Sequence, residues 1–186
     1  KTSRTTLQQC ELAVKDNLLQ QGSLMKMTVF ERHSGNGQKA HGLIGNMDDF
    51  KGAIATTYAH DCHNLVIYSA DDDDAAIAAN ELIRTEGGVV AVLDKNILAS
   101  IQLPIAGILC EDDKETLAKK FSLIERVAKD KLHLNHQEVL TFITLMPLAV
   151  SPEVKLTDKG IIDVTHKKVL PLLVDSMNID EYRVEP

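Results

Sequence analysis

The chain has 186 residues, of which 44% are hydrophobic and 25% charged, enough apolar content for a packed core and too much for a globally disordered state. A net charge of −7 has the wrong sign for gripping a phosphate backbone, and 4% aromatics without Trp leave little to stack unpaired bases on. No apolar run approaches the roughly 18–20 residues that cross a bilayer, so neither nucleic acid nor membrane is an expected partner.

The chain opens at Lys1 without Met, and its first 21 residues lack an apolar core followed by a cleavage site. The expectation is a piece of a longer protein. Cys10, Cys62 and Cys110 are odd in number and show no CxxC spacing, which fits reduced thiols in the cytoplasm better than a disulfide framework or a zinc knot.

Near the N-terminus, Leu7, Cys10, Val14 and Leu18 have helical spacing, while Lys15-Asp16-Asn17 reads as a turn between two strands; both readings stay open. Residues 24–32 predict a strand, with either Leu24, Lys26, Thr28 and Phe30 or Met25, Met27 and Val29 facing a core. Five glycines between residues 33 and 52 imply tight backbone geometry or close approach. Residues 53–58 and 65–68 predict two short buried strands joined by the polar bend AHDCHN at 59–64. Asp71 to Asp74 precede an alanine-rich helix over about 75–85, where anions favour the helix N-terminus. Gly87-Gly88 stops it, and residues 89–93 and 97–103 form a hairpin around Asp94-Lys95-Asn96.

A second helix over about 114–132 puts Leu117, Phe121, Ile124, Ala128 and Leu132 on one stripe, with Lys119, Lys120, Glu125 and Lys129 opposite. The tail holds an apolar segment at 139–146, a loop with Pro147 and Pro152, and short strands at 160–164 and 169–174. There is no internal repeat and no dividing linker. The expected fold is α+β, a single compact domain over 1–186 with a mixed β-sheet of short strands and about two main helices packed on it.

The densest chemistry is His60-Asp61-Cys62-His63-Asn64. Two imidazoles, a carboxylate and a thiol could ligate a transition metal or move protons, and a bend would let His60 and His63 converge. The alternative is that they brace the bend through local hydrogen bonds. Glu31-Arg32-His33 at a strand end could face a ligand or a neighbouring domain, or form solvated strand-end contacts. The glycine-rich loop matches neither a Walker nor a dinucleotide fingerprint. His133 and His136 could pair at i, i+3 or lie on an exposed loop, and Asp71–Asp74 could hold a hard cation or cap the helix in water.

Four separated blocks, ERH (31–33), GAIATTYAHDCHN (52–64), LPIAGILCE (103–111) and KLTDKGIIDV (155–164), run colinearly in the order seen in bacterial adenine deaminases. The chain resembles the C-terminal domain of that amidohydrolase family. The resemblance implies that the domain follows a barrel that hydrolyses adenine to hypoxanthine and ammonia with a divalent transition metal, Mn or Fe. No HxH barrel motif stands in these residues, so the chain is expected to be part of an enzyme and inactive alone, with no metal of its own. The resemblance brings forward His60, Asp61 and His63 as catalytic candidates, and Glu31, Arg32, His33 and Asn64 as substrate-binding or interface residues. The implied partners are the N-terminal barrel of the same chain and a second copy in a homodimer. The alternative is a non-catalytic lid or oligomerisation domain of a divergent amidohydrolase with another substrate.

Overall fold

A computed structural model describes residues 4–16, 18–19 and 22–174. The elements are β1 (Val14–Lys15), β2 (Leu18–Leu19), β3 (Met25–Phe30), β4 (Lys39–Ile44), β5 (Ala53–Thr56), β6 (Leu65–Ser69), α1 (Asp72–Arg84), β7 (Gly88–Leu93), β8 (Asn96–Gln102), α2 (Lys114–Asp130), α3 (Val139–Leu145), β9 (Val154–Thr157), β10 (Gly160–Asp163) and β11 (Lys168–Leu170). Six strands form the main sheet in the order β4-β3-β6-β5-β7-β8, and β9 to β11 form a second sheet of three. The α+β class holds. The sheet expected to be mixed is antiparallel at every described pairing: the one helical crossover, from β6 through α1 to β7, joins two strands of like direction, and β5 lies antiparallel between them.

β5, β6 and β7 lie at the centre and are buried on both faces, which is why AIAT, LVIYS and GVVAVL read as continuous apolar runs rather than alternating ones. On one face Ala53, Ala55, Ile67, Val90 and Val92 meet Ala78 and Leu82 of α1. Small side chains on both partners let this helix approach closely. The opposite face carries Met25, Met27, Val29, Ile54, Tyr68 and Ala91 against Ile124 and Ala128 of α2, Leu132 just past its end, and Ile143 of α3. Helix α2 thus stops short of the expected 132. Of the two faces open for β3, the methionine–valine face is the one that turns inward to this larger core. Tyr68, fully buried, donates its hydroxyl to the Ile143 carbonyl at 2.8 Å and so ties α3 to the sheet.

α1 begins three residues earlier than expected. Asp71 caps it by accepting the Asp74 amide at 2.8 Å. Asp72 pairs with Lys26, and Asp73 with Lys95 at 2.8 Å. Asp74 is not solvated: it is 3% exposed, and its carboxylate accepts the amides of Asp94 (3.1 Å) and Lys95 (2.7 Å). Those two residues, both at positive φ, form the tight loop of the β7–β8 hairpin. The acidic run is thus committed to the fold.

The apolar segment at 139–146 is α3, and β9 within the fourth block is a strand that the sequence pattern did not single out. Strand β11 ends at Leu170, short of the expected 174. The N-terminal ambiguity resolves as the β1–β2 hairpin, with part of its turn outside the described residues.

Candidate functional site

Strand register explains why three of the four blocks meet at one end of the main sheet. Phe30, the last residue of β3, pairs with Leu65, the first of β6. Continuing β3 therefore lays Glu31, Arg32 and His33 beside residues 59–64, which lead into β6. Gly88 at the start of β7 pairs with Gln102 at the end of β8, so the loop from Leu103 leaves from the same end.

Arg32 joins these segments. Its Nε donates to the His63 carbonyl at 2.5 Å and its Nη2 to the Ala106 carbonyl at 2.6 Å. Burial pulls the guanidinium's pKa down, yet arginine stays charged at neutral pH, so both are charge-assisted bonds. Gly107 lies flat against the guanidinium; a Cβ there would sit 2.7 Å from Nη2, and φ is +75°. Thr57 fixes the loop from behind: its Oγ1 donates to the Gly107 carbonyl at 2.6 Å and accepts the Gly88 amide at 2.8 Å. Gly87 permits that contact, since a Cβ on it would lie 2.4 Å from the Gly107 Cα.

The AHDCHN segment is a tight bend. The His60 amide donates to the Thr144 carbonyl at 3.0 Å, anchoring the bend to α3. Ala59 and His63 close it reciprocally: the His63 amide donates to the Ala59 carbonyl (2.7 Å) and the Ala59 amide to His63 Nδ1 (3.2 Å). His63 adopts φ +49°. The rings of Tyr58, His60 and His63 converge, with centroids 5.3 to 5.8 Å apart. Both histidines are half-buried, whereas Asp61 and Cys62 are exposed. The Asp61 carboxylate stands 3.9 Å from His60 Nδ1, too far for a hydrogen bond. Tyr58 and His60 also line an open hollow of about 390 Å³ with Phe121, Leu140, Thr141 and Thr144.

His33 Nε2 lies 2.6 Å from the Cys62 carbonyl, and because a carbonyl only accepts, Nε2 carries the proton there. Glu31 spends its carboxylate on the start of the glycine-rich loop, accepting from the His33 amide (2.7 Å) and the Ser34 hydroxyl (2.6 Å). The Ser34 hydrogen bonds hold its pKa below the usual carboxylate range. Asn64, 2% exposed, donates to Asp158 at 3.0 Å, which brings the fourth block to the same end. Its buried Oδ1 has no partner among the described residues.

Burial lowers the pKa of His63, with His60, Arg32 and His33 acting in the same direction and Asp61 opposing them. That direction favours the neutral imidazole, as does the Ala59 N–H donated to its Nδ1. The donor set does not fit a divalent metal: His63 Nδ1 is taken by an amide, His33 Nε2 by a carbonyl, and no group of three ligating side chains converges among the described residues. Of His133 and His136, His136 is exposed, hydrogen-bonds at Glu138 and packs on Phe142, with ring centroids 4.8 Å apart, and His133 is half-buried.

Thr57, Ala106, Gly107 and Asp158 are the site residues that the sequence pattern did not select. They contribute a backbone carbonyl, a vacant Cβ position or a hydrogen bond to a neighbouring site residue. The sequence pattern gives Gly87-Gly88 only as the stop of the first helix, yet Gly87 is where the backbone approaches Gly107.

Fold and site together define an α+β domain in which an antiparallel sheet carries a histidine-rich bend clamped at one end. The family model described as adenine deaminase C-terminal domain matches residues 2–168. Among curated relatives, adenine deaminase 2 of Oenococcus oeni is 39% identical over 166 residues, covering 88% of this chain and 29% of the relative. Adenine deaminase of Clostridium perfringens is 37% identical over 163 residues, covering 87% and 28%, and that of Thermosipho melanesiensis is 35% identical over 155 residues, covering 83% and 26%. The chain belongs to the adenine deaminase C-terminal domain family. It spans under a third of the length of these relatives.

Proposed function

We propose that residues 1–186 form the C-terminal domain of a cytoplasmic enzyme that hydrolyses adenine to hypoxanthine and ammonia. In this reading the clamped bend faces the catalytic part of the same polypeptide, the N-terminal barrel. The observation that carries it is the convergence of the four family-like blocks in one hydrogen-bonded cluster, through Arg32, His33, His63, Ala106, Asn64 and Asp158. Structural economy alone does not call for three half-exposed rings there. Tyr58, His60 and His63 present ring faces and polar edges suited to a planar heterocycle or to the wall of its pocket.

The metal chemistry, with Mn or Fe, belongs to the barrel, and the domain alone does not turn over adenine. Free thiols at Cys10, Cys62 and Cys110 fit a reducing compartment. The test is His60→Ala and His63→Ala in the full-length enzyme, reading kcat/KM with adenine beside the melting temperature. Lost turnover in protein of unchanged stability supports the reading. A second reading, a lid or oligomerisation element, draws on Ile105 and Leu109, 45% and 57% exposed in the loop that Arg32 clamps. It wins if stability falls while turnover per folded molecule is kept.

A further inference from the structure

His63 has one ring edge committed and one not. A backbone amide can only donate, so the Ala59 N–H at 3.2 Å requires an unprotonated Nδ1, and in the neutral ring the proton must then sit on Nε2. No described residue accepts a hydrogen bond from Nε2. The ring is half-buried beside Tyr58 and His60, and Arg32 fixes the residue's own carbonyl. His33 carries its proton on the same nitrogen, but there the Nε2–H is spent on the Cys62 carbonyl.

From this geometry we infer that His63 serves as a fixed hydrogen-bond donor through Nε2–H, selecting a ligand that offers a lone pair there: a ring nitrogen or ring carbonyl of a planar heterocycle. It is not a proton-abstracting base, because its only basic nitrogen is buried under the Ala59 amide. The heterocycle rests on the function proposed above; the donor tautomer does not.

Two measurements test it separately. Long-range proton–nitrogen correlation spectra of the ¹⁵N-labelled 186-residue chain at pH 7.5 read the tautomer directly. An Nε2–H imidazole is expected; an Nδ1–H tautomer or an imidazolium would overturn the inference. The second measurement uses His63→Asn in the full-length enzyme. Asn places an acceptor where Nδ1 was and tolerates the positive φ, so it keeps the Ala59 bond while deleting the Nε2–H donor. The expected result is a melting temperature like the wild type with kcat/KM for adenine reduced about tenfold or more, the equivalent of one hydrogen bond of about 1.4 kcal/mol. Retention of kcat/KM within twofold would overturn the donor role. A wild-type enzyme without adenine turnover would instead sink the proposed substrate, and the spectra would still decide the tautomer.

Discussion

Gly107→Ala probes the Arg32 clamp without touching either charge or bend. The new Cβ would lie 2.7 Å from Arg32 Nη2 and 2.9 Å from its Cζ, and the backbone sits at φ +75°. The left-handed conformation costs a residue with a Cβ about 1–2 kcal/mol. Displacing the guanidinium costs its two charge-assisted bonds, for which about 1.5–3 kcal/mol as a pair is apt, since one of them reaches an exposed carbonyl. Gly35→Ala is the control: it sits at φ +66° with nothing within 4 Å of where its Cβ would lie, and so carries the conformational part alone. Gly107→Ala should therefore melt lower than Gly35→Ala by about 3–12 °C, at about 2–4 °C per kcal/mol for a chain of this size. Differential scanning fluorimetry and urea titration read the difference. In an Arg32→Ala background, Gly107→Ala should cost only about 1–2 kcal/mol. Equal losses for the two glycine variants, or an undiminished loss in the Arg32→Ala background, would refute the clamp.

Asp74→Ala should destabilise by about 1.5–3 kcal/mol in urea titration, because it strips the amides of Asp94 and Lys95 of a buried carboxylate. Lys155, 2% exposed in β9, has its pKa drawn down by burial to about 8, so between about pH 8 and 10.5 the unfolded chain binds more protons than the native one. Stability contributed by this group should rise with pH across that window. Comparing wild type with Lys155→Met from pH 7.5 to 9.5 isolates it, and a wild-type slope no steeper than the variant's would contradict the assignment.

Much of this molecule was legible in its sequence. Local rules set an acidic helix start near Asp71–Asp74, the stripe from Leu117 to Ala128, the Gly87-Gly88 stop and the hairpin at Asp94-Lys95, because capping, periodicity and turn chemistry act over a few residues. Colinear blocks also pointed to the family, which the comparison over residues 2–168 bears out. Other features had no local signal. Which face of β3 turned inward depended on what packed against it, and a seven-residue apolar stretch such as α3 fits a strand or a helix until its neighbours choose. The site was legible only as residue types. That Glu31 serves a turn, that Asp61 stands apart from His60, and that Arg32 reaches two carbonyls 31 and 74 residues away all follow from register at the sheet end. Hydrogen bonds to backbone carbonyls leave no trace in side-chain spacing, because every residue carries the same acceptor; only the tertiary structure decides which ones meet.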